Sequence, residues 1–188
     1  MATDNERELV HTRQISCRAF RLKSGFLEVE ATLTDEKGQE VPFRSRPPVQ
    51  AGEFMHRMAL TLTIDGDHTI QDARASTLKA PWATCGGTDT AYRQLIGLCI
   101  GAGFSQQVRE RLGGVHGCTH ITELVAQAAN TYMQASWPDR IARQLAVDQD
   151  PRRWPDKSTL TFINHCHVWR QDGETMLQEY PELTLPTK

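Results

Sequence analysis

Phe26-Leu27-Glu28-Val29-Glu30-Ala31-Thr32-Leu33-Thr34 alternates apolar and polar residues without a break. In an extended chain successive side chains point to opposite faces, so Leu27, Val29, Ala31 and Leu33 share one face and the glutamates and threonines the other. The stretch therefore reads as a strand with one covered face. Upstream, residues 11–22 alternate in the same sense through Ile15, Cys17 and Ala19, and Lys23-Ser24-Gly25 is a turn, so the two runs form a hairpin. Downstream, residues 54–64 place Met58, Leu60, Leu62 and Ile64 on one face. Asp65-Gly66-Asp67 turns the chain, and residues 68–77 return as a fourth strand. His56 shares the face of Met58 and Leu60 and is expected to point inward. Between the hairpins, residues 35–52 carry Arg44-Ser45-Arg46-Pro47-Pro48 and little periodicity, which predicts an excursion loop.

Pro81 ends the ladder and the period changes from two to that of a helix. Thr88 or Asp89 is a candidate cap for a helix over about residues 90–101, with Ile96, Cys99 and Ile100 on one stripe, so Cys99 is expected in the core. Ser105 is a candidate cap for a short helix over 106–112. Thr119 is a candidate cap for a longer one to about residue 135, with the stripe Ile121, Leu124, Val125, Ala128, Ala129 and Tyr132. Asp139 is a candidate cap for a last turn to Leu145, residues 148–157 read as a linker, and residues 158–170 lean toward a strand carrying His165-Cys166-His167. The predicted fold is α+β: an antiparallel sheet of two hairpins covered on one face by helices. Its single domain spans residues 11–170, with a polar lead (1–10) and a tail (171–188).

The chain of 188 residues has a formal net charge of −2, so it offers no long-range attraction to nucleic acid. Its five cysteines, at 17, 85, 99, 118 and 166, form no CxxC pair and suggest free thiols in a reducing compartment. No apolar run reaches the roughly 18 residues of a membrane span, and the N-terminal residues have no apolar signal core. A cytoplasmic protein is expected, with no nucleic-acid or membrane partner and possible self-association.

Gly113-Gly114-Val115-His116-Gly117-Cys118-Thr119-His120 concentrates the chemistry. A glycine-rich turn delivers a thiol, a hydroxyl and an imidazole to a helix mouth, where unpaired N–H groups carry partial positive charge. A cysteine in such a place tends toward the thiolate, and a histidine there is a candidate acid, base or ligand. The glycine run lacks the Lys-Ser/Thr pair of a phosphate loop. On the sheet, Arg13 is a candidate carboxylate clamp, and Glu28 a candidate cross-strand partner for it or a second base. Cys85, Cys118, His120 and Cys166 offer an alternative: three thiolates and an imidazole suit tetrahedral zinc, or an iron site, although no short paired spacing is present.

The order of these pieces carries a resemblance. His11-Thr12-Arg13, Ala51-Gly52-Glu53 with His56 and Met58, Ala80-Pro81 with Cys85, and Leu95-Ile96-Gly97 come first. Val108-Arg109-Glu110-Arg111-Leu112-Gly113-Gly114 then leads into Gly117-Cys118-Thr119-His120 and Glu123-Leu124, and Cys166-His167 closes the series. Together they resemble the bacterial domain-of-unknown-function 2889 (DUF2889) family across most of the chain. Members usually carry an aromatic pair with an acidic residue after the first turn, where this chain has Gly25-Phe26-Leu27-Glu28-Val29. The resemblance implies a cytoplasmic bacterial protein associated with the catabolism of aromatic compounds.

The leading expectation is a small-molecule enzyme acting on an aromatic compound, a cofactor-independent carbon–carbon lyase. His120 and His56 would move the proton with Glu28 as a further base, and Arg13, Cys118, Thr119 and Cys85 would bind substrate. The alternatives are a zinc or iron–sulfur-handling scaffold built on Cys85, Cys118, His120 and Cys166, and a non-catalytic binder of a small ligand.

Overall fold

The computed structural model describes residues 7–147 and 162–184. The chain divides into two compact units, Met1–Ala135 and Ser136–Lys188. The first holds a four-stranded antiparallel sheet in the order β1-β2-β3-β4, with β1 His11–Arg21, β2 Leu27–Lys37, β3 Phe54–Ile64 and β4 Ile70–Lys79. Both expected hairpins are present, and the α+β arrangement follows from the alternation that predicted them.

Helix α1 spans Phe104–Leu112 and α2 spans Thr119–Ala135. The inward residues Leu27, Val29, Ala31 and Leu33 of β2, and Met58, Leu60, Leu62 and Ile64 of β3, are buried against the α2 stripe Ile121, Leu124, Val125, Ala128 and Tyr132. Both faces lose water over this apolar surface, which is the main force holding helix to sheet. The other sheet face is polar, with Arg18 paired to Glu30 and Arg74 paired to Glu28 and Asp72. Helix α2 is pinned at its far end, where the Tyr132 hydroxyl donates to the Asp65 carbonyl and lies 2.8 Å from His68 Nδ1.

Local expectations need correction. The segment Ala83–Leu95 is a run of 3₁₀ turns, and no α-helix covers residues 90–101. Gly86 and Gly87 disfavour a regular helix, and the Asp89 carboxylate accepts from the Thr77 amide and hydroxyl of β4 in place of capping a helix. After a turn at Ile96-Gly97, with Gly97 in the left-handed region, Cys99 is bridged to Thr69, so Leu98 and Ile100 are buried and Cys99 is exposed. Helix α1 begins at Phe104, preceded by Gly103 in the left-handed region, so Ser105 is not its cap. At α2 the Cys118 carbonyl accepts from the Thr122 amide, which makes Thr119 the first helical residue and not the cap.

The second unit contains α3 (Trp137–Val147) and α4 (Glu174–Glu179). Phe162 packs against Trp137 and Trp169 at ring distances of 5.5 and 4.6 Å. Residues 162–170 form turns and not the expected strand, and residues 158–161 of that expectation lie outside the described residues. Among the described residues no helix is long and apolar enough to cross a membrane.

Candidate active site

The alternation that buries Leu27, Val29, Ala31 and Leu33 takes one more step and carries Asp35 to the same inward face, where it is 2 % exposed. A carboxylate in that position is costly unless donors satisfy it. Arg13, its direct partner across β1–β2, donates from Nε to Oδ1 at 2.7 Å and from Nη2 to Oδ2 at 2.8 Å. His56, its partner across β2–β3, places Nδ1 3.0 Å from Oδ2. His11 Nε2 lies 3.2 Å from Oδ1, and the Nδ1 on its far side is buried without a hydrogen-bond partner. The β2–β3 register shifts between Asp35 and Glu36, a local irregularity of the kind that re-aims side chains beside active sites.

The mouth of α2 adds the remaining groups. His120 Nε2 is 3.6 Å from Asp35 Oδ2, and its ring lies over that of His56 with centroids 3.9 Å apart and planes tilted by 31°. Cys118 Sγ is 3.7 Å from His120 Nδ1. From the next turn of α2, Glu123 accepts from Arg13 Nη1 at 2.8 Å, tying helix to sheet directly over the carboxylate.

The electrostatics follow from this geometry. Burial opposes ionisation of Asp35, but Arg13 and then His56 outweigh it, and the carboxyl falls from 3.8 to about 2. His56 titrates below its ordinary 6.5 because burial disfavours imidazolium. Asp35 opposes this, while Arg13 and Lys37 reinforce it. His120 is also lowered, first by burial and then by the charge of His56 and of Arg13, with Asp35 and Glu123 opposing. Both rings are therefore mainly neutral at pH 7.

The approach to α2 is held by Tyr92, a fully buried residue of the 3₁₀ segment. Its hydroxyl donates to the Cys118 carbonyl at 2.7 Å, accepts from the Cys118 amide at 3.0 Å, and meets Thr122 Oγ1 at 2.8 Å. A β-carbon at Gly117 would fall 2.5 Å from the Leu112 carbonyl oxygen and 3.2 Å from this hydroxyl, so only glycine fits there. Tyr92→Phe is expected to cost about 1–3 kcal/mol, because it strands buried backbone groups at Cys118. Urea denaturation measures that loss, and a variant as stable as the parent would show that the hydroxyl does not organise the turn.

The expected site residues divide accordingly. Arg13, His56, His120 and Cys118 come together. Arg13 donates to Asp35 and Glu123, which ties its guanidinium into the support of the site. Glu28 is misplaced in the expectation: it lies on the outer face of the sheet, opposite Phe20, and its partner is Arg74, not Arg13. Substituting Glu28 with Gln is accordingly expected to leave turnover of any substrate within about twofold of the parent, as exposed ion pairs contribute little.

Thr119 is exposed at the first turn of α2. Cys85 is half-buried in the 3₁₀ segment, with its amide donating to the Trp82 carbonyl. Cys166 is exposed and belongs to the second unit. Among the described residues, one set of three metal-ligating groups has its donor atoms all within 4.8 Å of one another: Asp35, His56 and His120. It contains no thiol and shares only His120 with the expected cysteine-based set. Asp35 and the supporting Glu123 and Tyr92 were not singled out from the sequence. The signal for Asp35 was an acid at the next step of an apolar alternation.

A family model described as a protein of unknown function, DUF2889, matches residues 11–134. No curated protein and no solved structure matches the chain.

Proposed function

This chain belongs to the DUF2889 family, and we propose that within it Asp35, His56 and His120 form the acid–base centre of a small-molecule enzyme. One observation carries the reading: two imidazoles are stacked 3.9 Å apart against one buried carboxylate. Both point at the same oxygen of a group already held by arginine. Asp35 fixes the tautomer of His56 by accepting from its Nδ1–H, which leaves Nε2 as the basic nitrogen. His120 is then the second proton carrier.

The reaction proposed is carbon–carbon bond cleavage in an aromatic compound, in a bacterial catabolic and cytoplasmic setting. The imidazole takes the proton of a side-chain hydroxyl, a carbonyl forms at that carbon, and the adjacent carbon–carbon bond breaks. The electron pair moves onto the carbon conjugated with the ring and is quenched by the proton that the imidazolium returns. Only a base, an acid and a water-poor site are needed for this sequence. The test is incubation with phenolic compounds bearing hydroxylated side chains, with released aldehyde as the readout. Turnover by the parent and its loss in His56→Asn/His120→Asn support the reading, and equal turnover by both proteins defeats it.

A further inference from the structure

We propose that Asp35, His56 and His120 bind one divalent transition-metal ion. The proposal rests on the acid–base reading only for where the chemistry takes place. Asp35 Oδ2 has two lone-pair directions: Arg13 Nη2 uses one at 2.8 Å and His56 Nδ1 the other at 3.0 Å. His120 Nε2 is aimed at the same oxygen from 3.6 Å, too far for a hydrogen bond. An ion in place of the His56 Nδ1 proton, with His56 carrying its proton on Nε2 instead, gives Asp35 Oδ2, His56 Nδ1 and His120 Nε2 one common partner. Zinc holds nitrogen and oxygen ligands at about 2.0–2.2 Å, so two vertices of a tetrahedral shell stand about 3.4 Å apart. The observed separations of 3.0 and 3.6 Å fall on either side of that value.

The surroundings are also those of a ligand set. Metal-binding carboxylates and imidazoles are usually fixed by hydrogen bonds through their other atoms. The fork of Arg13 fixes Asp35, and Cys118 Sγ stands 3.7 Å from the far nitrogen of His120. Two imidazole nitrogens and one carboxylate oxygen select zinc, iron(II), cobalt or manganese over calcium and magnesium, which prefer all-oxygen shells. Three protein ligands leave open positions for a substrate oxygen, whose negative charge the ion would stabilise. The three residues come from β2, β3 and α2, so ion binding would also tie the helix mouth to the sheet.

The test is titration of chelator-treated full-length protein with cobalt(II), read by visible ligand-field absorption and by equilibrium dialysis, with no substrate present. One cobalt per chain is expected, with affinity at least tenfold weaker in His56→Asn and in His120→Asn, and unchanged stoichiometry in Cys85→Ser. Circular dichroism establishes that each variant is folded. Should either histidine variant unfold, His→Gln at the same position takes its place. Cobalt uptake no greater in the parent than in His56→Asn/His120→Asn overturns the proposal, as do intense sulfur-to-cobalt absorption bands lost in Cys85→Ser. Either result leaves the proton-transfer reading standing, because its readout is released aldehyde. Equal turnover by the parent and His56→Asn/His120→Asn, with cobalt binding lost in the variant, would fault that reading alone.

Discussion

Replacing Asp35 by Asn is expected to lower stability by about 3–5 kcal/mol and to abolish any reaction run at the site. The amide is nearly isosteric, so the loss is electrostatic. The Arg13 guanidinium would face a neutral group in place of the carboxylate it now grips through two hydrogen bonds. An amide nitrogen would also turn a donor toward Arg13 or toward His56. The pH dependence identifies the group. Asp35 ionises near 3.8 when unfolded and at about 2 when folded. Its stabilisation is complete above the unfolded value and is lost as pH falls through about 2. The two histidines act in a separate window. Their folded values lie below 6.5, so they favour the native state above 6.5 and weaken it as pH falls below that. Denaturation across pH 2–7 should show the lower limb reduced in Asp35→Asn. A variant with the acid profile and stability of the parent would mean that Asp35 does not hold the site together.

The parts of the fold that sequence made legible are those where one residue spacing decides one geometry. The alternation in residues 26–34 settled the sheet, and the apolar stripe from Ile121 to Tyr132 settled α2. The 3₁₀ segment was not legible in the same way, because the preference of Asp89 for the Thr77 backbone over a helix cap is a tertiary choice. Cys99 followed it into error: extended and helical chains bury different neighbours of Leu98.

The site shows the same division. His56 and His120 were expected at one place, one from its strand face and the other from its helix mouth, and the fold stacks them. Asp35 was read as the start of a loop because an acid beside Glu36-Lys37-Gly38 looks like a turn. The hairpin itself contained the answer. Folded about Ser24, it pairs residues equally distant on either side, which sets Arg13 opposite Asp35 and leaves Glu28 opposite Phe20. Glu28 differs from Asp35 in both register and face, so it cannot reach Arg13.

His120→Asn is expected to reduce turnover by about 10²–10⁴ while changing stability by no more than about 0.5 kcal/mol. His120 sits 3.6 Å from Asp35, beyond hydrogen-bond reach, so the carboxylate keeps Arg13, His11 and His56 when the ring is removed. His56→Asn should reduce turnover to a similar extent but also cost about 1–2 kcal/mol, because its Nδ1 makes a 3.0 Å contact with that carboxylate. The pair is coupled, and each variant reports on the survivor. His120 is held down partly by the charge of His56, so in His56→Asn its titration should move up toward 6.5. NMR titration of the imidazole signals measures that movement directly. In the parent, turnover should rise with pH through an apparent value below 6.5, as neutral imidazole becomes the base. An unfolded His120→Asn would make the residue structural. A folded variant with full turnover would remove His120 from the proton path and leave His56, still oriented by Asp35, as the sole imidazole base of the reaction.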